Sequence, residues 1–161
     1  MKSVLVAITV AAVISTPLAA TPVAIDAVAL AQLENVQRTI NALPMRSDQD
    51  RFGRVEYWQS ADATGGDCED KALAARDALV ALGWSAKALR LALAWDETGI
   101  YHAVLTVDVQ TAGDVPLAGV ATTYVLDSRF AKLRTWSALS RRGYRWSVRQ
   151  SETNGWQRIG S

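Results

Sequence analysis

The sequence predicts an α+β fold, with helices first and an antiparallel sheet after them, and three observations carry that prediction. Apolar residues recur at helical spacing in two segments, 26–43 and 67–82. The period then switches to two between Leu89 and Val109. The later strands are separated by short turns and loops rather than by helices long enough for parallel crossovers, which favours antiparallel pairing.

In the first helical segment Leu33, Val36, Ile40 and Leu43 form one stripe, and Pro44 closes it because proline has no amide hydrogen to continue the ladder. Residues 45–66 are polar and irregular around Phe52, Val55, Tyr57 and Trp58, ending on the pair Gly65-Gly66. The second helix starts at Asp67 or Cys68 and runs to Leu82, with Leu73, Leu79 and Leu82 expected on its inner face and Gly83 as its stop. Leu89, Leu91, Leu93 and Trp95 then share one face of a strand, and Asp96-Glu97-Thr98-Gly99 makes the turn. In the next strand Tyr101, Ala103, Leu105, Val107 and Val109 share a face, which puts His102 on the other. Residues 110–120 read as a loop, Thr122 to Leu126 as a strand delivering Asp127 at its end. Tyr144–Ser151, the turn Asn154-Gly155 and the tail Trp156–Ile159 predict a final hairpin.

A length of 161 residues, half of them hydrophobic and 20% charged, suits a single domain with a real core and excludes a disordered polyelectrolyte. Seventeen basic residues stand against 16 acidic ones, so bulk charge points to no polyanion. One cysteine excludes an internal disulfide and a cysteine-rich zinc site, and any histidine chemistry must run through His102.

Residues 1–20 carry the layout of a secretory signal peptide: Lys2, an apolar run from Val4 to Ile14 broken only by Thr9, then Pro17 and the small residues Ala19 and Ala20. The run is short for a membrane span, and nothing later in the chain is apolar for long enough. The expected product is one mature domain, residues 21–161, soluble, not membrane-spanning, and periplasmic or secreted. Its C-terminal stretch holds eight basic residues against Glu152 alone, interleaved with Trp136, Trp146 and Trp156. Such a pattern can grip single-stranded nucleic acid. It equally describes arginine stems laid over tryptophans on a solvated strand face, and export favours that reading, with no nucleic-acid partner.

The densest chemical signal is Gly65-Gly66-Asp67-Cys68-Glu69-Asp70. A thiol at a helix N-terminus feels unpaired amide hydrogens and the positive end of the dipole, both of which favour thiolate. Acyl transfer also needs a base, for which His102 is the only histidine, and an orienting acid, which Asp127 supplies from a strand end. Each residue alone has an ordinary structural explanation; the three together form a plausible triad. The acids Asp67, Glu69 and Asp70 exceed what a helix cap requires, and hard oxygen ligands suit calcium.

Gly-Gly-Asp-Cys-Glu-Asp-Lys-Ala, then Tyr-His-Ala-Val-Leu, then Tyr-Val-Leu-Asp-Ser, resembles the bacterial transglutaminase-like cysteine proteinases of the papain/transglutaminase superfamily. Glu56-Tyr57-Trp58 resembles that family's aromatic segment ahead of the cysteine. The resemblance implies a papain/transglutaminase-like fold, with Cys68 as nucleophile, His102 as general base and acid, and Asp127 as its orienter. It also implies calcium bound through Asp67 and Glu69, with Asp70 as a further ligand. An oxyanion donor beside the Cys68 amide would be the Trp58 indole, as in transglutaminases, or the Gln59 amide, as in papain-like sites. The family's members act on an exported protein and are restrained by a membrane-bound regulator. Two other readings remain open at this point. One is a transglutaminase or amidase using the same thioester chemistry; the other is a catalytically silent binding module built on the Arg/Trp-rich C-terminal region.

Overall fold

The computed structural model describes residues 22–112 and 121–159. The proposed signal peptide and most of the expected 110–120 loop lie outside the described residues. Helix α1 spans Ala27–Ala42, capped by the Asp26 carboxylate on the Ala29 amide at 2.9 Å. It ends where Leu43 turns extended, as a residue before proline must. A five-residue helix α2, Asp48–Phe52, interrupts the segment expected to be irregular, started by the Ser47 cap and stopped by Gly53 in the left-handed region. Helix α3 spans Cys68–Ala81.

The strands are β1 (Val23–Ile25), β2 (Leu89–Trp95), β3 (Tyr101–Thr111), β4 (Ala121–Leu126), β5 (Arg134–Thr135), β6 (Arg145–Gln150) and β7 (Trp156–Arg158), with helix α4 (Trp136–Arg142) between β5 and β6. They form one sheet in the order β5-β4-β3-β2-β6-β7, antiparallel throughout, except that β1 runs parallel to the end of β3. The central strand β3 sets Leu105 opposite both Leu91 and Leu126, and His102 opposite Ala94. The final hairpin forms as expected, with Asn154 at φ 62° in its turn.

Helices α1 and α3 cover one face of the sheet. Leu33, Val36, Ile40, Ala72, Ala75 and Leu79 pack there on Leu89, Leu91, Leu105, Val107 and Val109. Each fully buried leucine contributes roughly 1.5–3 kcal/mol relative to exposure. Alanines at positions 72 and 75 present only methyl groups, so α3 lies close on β3. The inner stripe of α3 is therefore Ala72, Ala75 and Leu79; Leu82, expected inside, is 49% exposed because the helix has already ended at Ala81. The other face carries a second core of Ala92, Ala94, Val104, Val125, Leu139 and Tyr144 beneath α4. Short alanine side chains on β2 hid that face from a period-two reading.

Trp95 and Tyr101, expected to share the buried faces, are each 43% exposed and lie ring to ring at 4.8 Å. A register shift between Leu93 and Ala94 in the β2–β6 pairing accompanies this departure. In the C-terminal stretch, Trp136 and Trp146 stack at 3.5 Å, with the Arg149 guanidinium over Trp136 and ion-paired to Asp108.

Candidate active site

Cys68 opens α3 where its own amide, as the first of the helix, has no intrahelical acceptor. The preceding glycines are required by space. A Cβ on Gly66 would stand 2.7 Å from Asp70 Cβ and 2.8 Å from Ala61 Cβ, and Gly65 holds φ at +108° against the Pro44 carbonyl. The turn thus brings Cys68 against the start of β3. Cys68 and His102 line one cavity of about 280 Å³ with Glu56, Trp58, Glu69, Leu93, Tyr101 and Ala103.

His102 is buried, and its Nε2 lies 2.8 Å from Asp127 Oδ1, leaving Nδ1 as the ring nitrogen not engaged by that acid. Asp127 has no exposure to speak of. Burial opposes its ionisation, but hydrogen bonds from His102, Tyr144 and the Arg129 amide, with the charge of His102, outweigh it and hold the carboxyl below the usual range. Cys68 stands the other way. Burial, the Glu69 carboxylate 3.1 Å from its sulfur and the charge of Asp67 push the thiol up to about 12, against a favourable contact with the Ala103 amide. In this arrangement it is a thiol at neutral pH.

The carboxylate pattern differs from the sequence expectation in one member. Ligand oxygens of Asp48, Asp67 and Asp70 all lie within 4.8 Å of one another. Asp48, on α2, joins the expected Asp67 and Asp70, while Glu69 turns its carboxyl to the thiol. Asp67 sits at the N-cap position of α3 yet makes no cap hydrogen bond, and its Oδ1 is buried without a partner. Asp48 Oδ1 is buried and unpartnered as well, while Asp48 Oδ2 accepts the Tyr57 amide. Asp70 accepts the Gln59 amide at 2.9 Å and pairs with the Arg51 guanidinium. Three carboxylates share one guanidinium, which Asp62 also approaches at 3.7 Å, so the cluster carries surplus negative charge that a divalent cation would offset. Burial, together with the neighbouring acids, raises Asp67 and Asp70 and takes Glu69 to about 7. Orphaned hard oxygens in an under-neutralised cluster fit a divalent cation.

Of the two oxyanion candidates, Trp58 lines the cavity, with its indole N–H donated to Glu56 Oε1 at 2.6 Å. Gln59 has an exposed side chain and is not among the residues lining that cavity.

Two residues that sequence reasoning missed hold Asp127 in place. Gln37 is fully buried in α1; its Oε1 accepts the Asp127 amide at 3.0 Å and its Nε2 donates to the Asp127 carbonyl at 2.8 Å and to the Phe130 carbonyl. A signal existed: Gln37 is a polar residue inside the Leu33/Val36/Ile40 stripe. Gln37→Leu should keep the fold and cost about 2–5 kcal/mol, because a buried amide and two carbonyls lose their partner. Urea denaturation measures this, and a loss below about 0.5 kcal/mol would contradict it.

Tyr144 donates its hydroxyl to Asp127 Oδ2 at 2.6 Å and accepts from Arg129 at 3.0 Å; Arg129 in turn pairs with Asp96 at 2.7 Å and Glu97 at 2.9 Å. Only the fold joins these positions. Because Asp127 is depressed in the folded state, its stabilisation is fully present above the unfolded value, about pH 4, and is lost as pH falls through the lower folded one. Removing the Tyr144 donor raises the folded value. Tyr144→Phe should therefore lose that stability at a higher pH than the wild type, which unfolding curves between about pH 2.5 and 6 would register; superimposable pH profiles would contradict it.

Comparison with known proteins identifies the family and the fold. The family profile described as bacterial transglutaminase-like cysteine proteinase BTLCP matches residues 14–161. Legionella pneumophila LapG in its calcium-bound form aligns at 27% identity and a TM-score of 0.60, covering 82% of this chain and 72% of that one. An EGTA-treated LapG aligns at 24% identity and a TM-score of 0.60, covering 82% and 68%. A further LapG structure gives 24% and 0.59, covering 81% and 69%. No curated protein sequence matches the chain. Among the described residues no helix is long and apolar enough to cross a membrane. With the profile spanning nearly the whole length, the chain belongs to the bacterial transglutaminase-like cysteine proteinase family.

Proposed function

We propose that the protein is an exported, calcium-supported cysteine endopeptidase working through Cys68, His102 and Asp127 on a periplasmic or surface protein. The observation that carries this reading is the 2.8 Å bond from His102 to a buried, depressed Asp127, with Cys68 on the wall of the same cavity as His102. His102 Nδ1 takes the thiol proton as the sulfur attacks the scissile carbonyl, while Asp127 holds the Nε2 hydrogen and so the tautomer. The tetrahedral oxyanion is met by the Cys68 amide and by the Trp58 indole, released from Glu56. His102 then gives the proton to the departing amine, leaving a thioester on Cys68. In the second half His102 takes a proton from water, the hydroxide displaces the sulfur, and the thiol returns with a free carboxylate product. Asp48, Asp67 and Asp70 would hold calcium, whose charge would offset the acids that now disfavour thiolate.

An activity-based thiol probe tests the reading: Cys68 should be labelled rapidly near neutral pH in calcium, Cys68→Ala not at all, and proteomics of exported proteins should show new termini only with the wild type. No labelling of the calcium-loaded wild type would sink it. Export rests on Lys2, Val4–Ile14 and Ala20. N-terminal sequencing of the extracytoplasmic fraction should start close to Thr21, and an intact Met1 there would remove cleavage from the proposal.

A further inference from the structure

Trp58 belongs to two cavities. One is the cleft of Cys68 and His102; the other, about 420 Å³, is lined by Trp58, Leu73, Arg76, Leu91, Gln150 and Trp156. Leu73 from α3 and Leu91 from β2 contribute its apolar surface. Trp58 and Trp156 meet edge to face, with ring centroids 6.2 Å apart, and each leaves more than a third of its surface to solvent. Gln150 is occupied in holding the Leu91 amide at 3.1 Å. Several exposed arginines also lack a carboxylate partner, but among the half-buried ones of the described residues Arg51, Arg90 and Arg149 each pair with an aspartate and Arg76 does not. A guanidinium left unpaired beside exposed indoles at the mouth of a cleft suits an acidic group brought by a ligand.

We infer that the catalytic cleft continues past Trp58 into a specificity subsite, where the two tryptophans take an apolar side chain of an extended substrate segment and Arg76 takes an aspartate or glutamate. Arg76 lies eight residues after Cys68 on α3, about 12 Å along the helix axis. Extended peptide covers about 3.3 Å per residue. The acidic residue therefore falls three or four positions from the scissile bond, with the apolar residue between. Trp156 reaches the site only because β7 closes the sheet beside β6, so the C-terminal hairpin serves substrate selection. This rests on the endopeptidase reading for the meaning of the scissile bond, but the groove and its charge do not depend on turnover.

The test separates the two. Fluorescently labelled ten-residue peptides carrying Asp, Gln or Lys at each position, with a central apolar residue, are bound to calcium-loaded Cys68→Ala protein and, separately, digested by the wild type. Acidic peptides should bind roughly three- to tenfold more tightly than their lysine counterparts. Arg76→Glu should invert that order, Arg76→Gln should flatten it, and Trp156→Ala should weaken all apolar peptides alike. In digestion, the same preference should appear three or four positions from the cut. Equal binding of acidic and lysine peptides, or an order unchanged in Arg76→Glu, overturns the subsite. Acidic preference in binding without any cleavage by the wild type keeps the subsite and overturns the endopeptidase reading.

Discussion

Cys68→Ala and His102→Ala are each expected to lower peptide turnover by on the order of 10⁴- to 10⁶-fold while leaving thermal unfolding within a few degrees of the wild type. Without the sulfur there is no thioester. Without the imidazole a thiol that burial and two acids have pushed up to about 12 keeps only its hydrogen bond to Glu69, and no group held by Asp127 carries its proton on to the departing amine. In the proposed mechanism sulfur and imidazole act as one unit, so the double variant should be hardly slower than either single one. Asp127→Asn should retain a residue of activity, since it disturbs the tautomer and position of His102 rather than removing a reacting atom. The measurements are kcat/KM for each variant on one cleaved peptide, with circular dichroism as the control for folding. Full turnover by Cys68→Ala would end the thiol mechanism. Loss of fold in His102→Ala would make His102 structural.

Chelation is the second large effect, expected both in activity and in stability. The cluster of Asp48, Asp67 and Asp70 places two orphaned carboxylate oxygens and surplus negative charge around the start of α3. Such a cluster is under like-charge repulsion until a cation arrives. At about a hundredfold excess over Kd, calcium would stabilise the folded state by about 2.7 kcal/mol, equivalent to roughly 8–12 °C in Tm for a domain of this size. Activity in chelator should fall at least about tenfold, because the proposed ligands Asp67 and Asp70 flank the segment that bears Cys68. Asp48→Asn combined with Asp67→Asn should erase the calcium-dependent rise in Tm. In chelator that variant should melt above the wild type, since the repulsion is gone. Isothermal titration and thermal unfolding with and without calcium read this without reference to catalysis. A wild type whose Tm and activity are indifferent to chelator would leave only a helix-start charge pattern.

The three proposed triad positions stood out in the sequence because their types are rare here. One cysteine, one histidine and a strand-end acid left little choice once Gly-Gly-Asp marked a tight turn into a helix. Helix α1 and strands β2 to β4 were legible because each buries large apolar side chains, helix α3 because Gly65-Gly66 and Gly83 bracket it, and the last hairpin because Asn154-Gly155 marks its turn. Helix α4 and the core beneath it were not, because alanines on β2 and short segments around Leu139 carry too little periodic signal. Asp48 lies 19 residues before Asp67 in a stretch with no period, and α2 turns it inward only through the Ser47 cap and the Tyr57 amide.

Sequence alone determined the chemistry available: a thiol at a helix start, acids crowded around it, one imidazole, and an α+β order of elements. Those follow from composition and local spacing, which neighbouring residues enforce whatever the rest of the chain does. Tertiary structure decided which groups meet. It placed Gln37 and Tyr144 on Asp127, brought Asp48 beside Asp67 and Asp70, and set Trp156 beside Trp58. Those contacts join residues up to 98 positions apart in sequence. They exist because the two cores and the sheet register hold distant segments within hydrogen-bonding distance, and no local pattern encodes that.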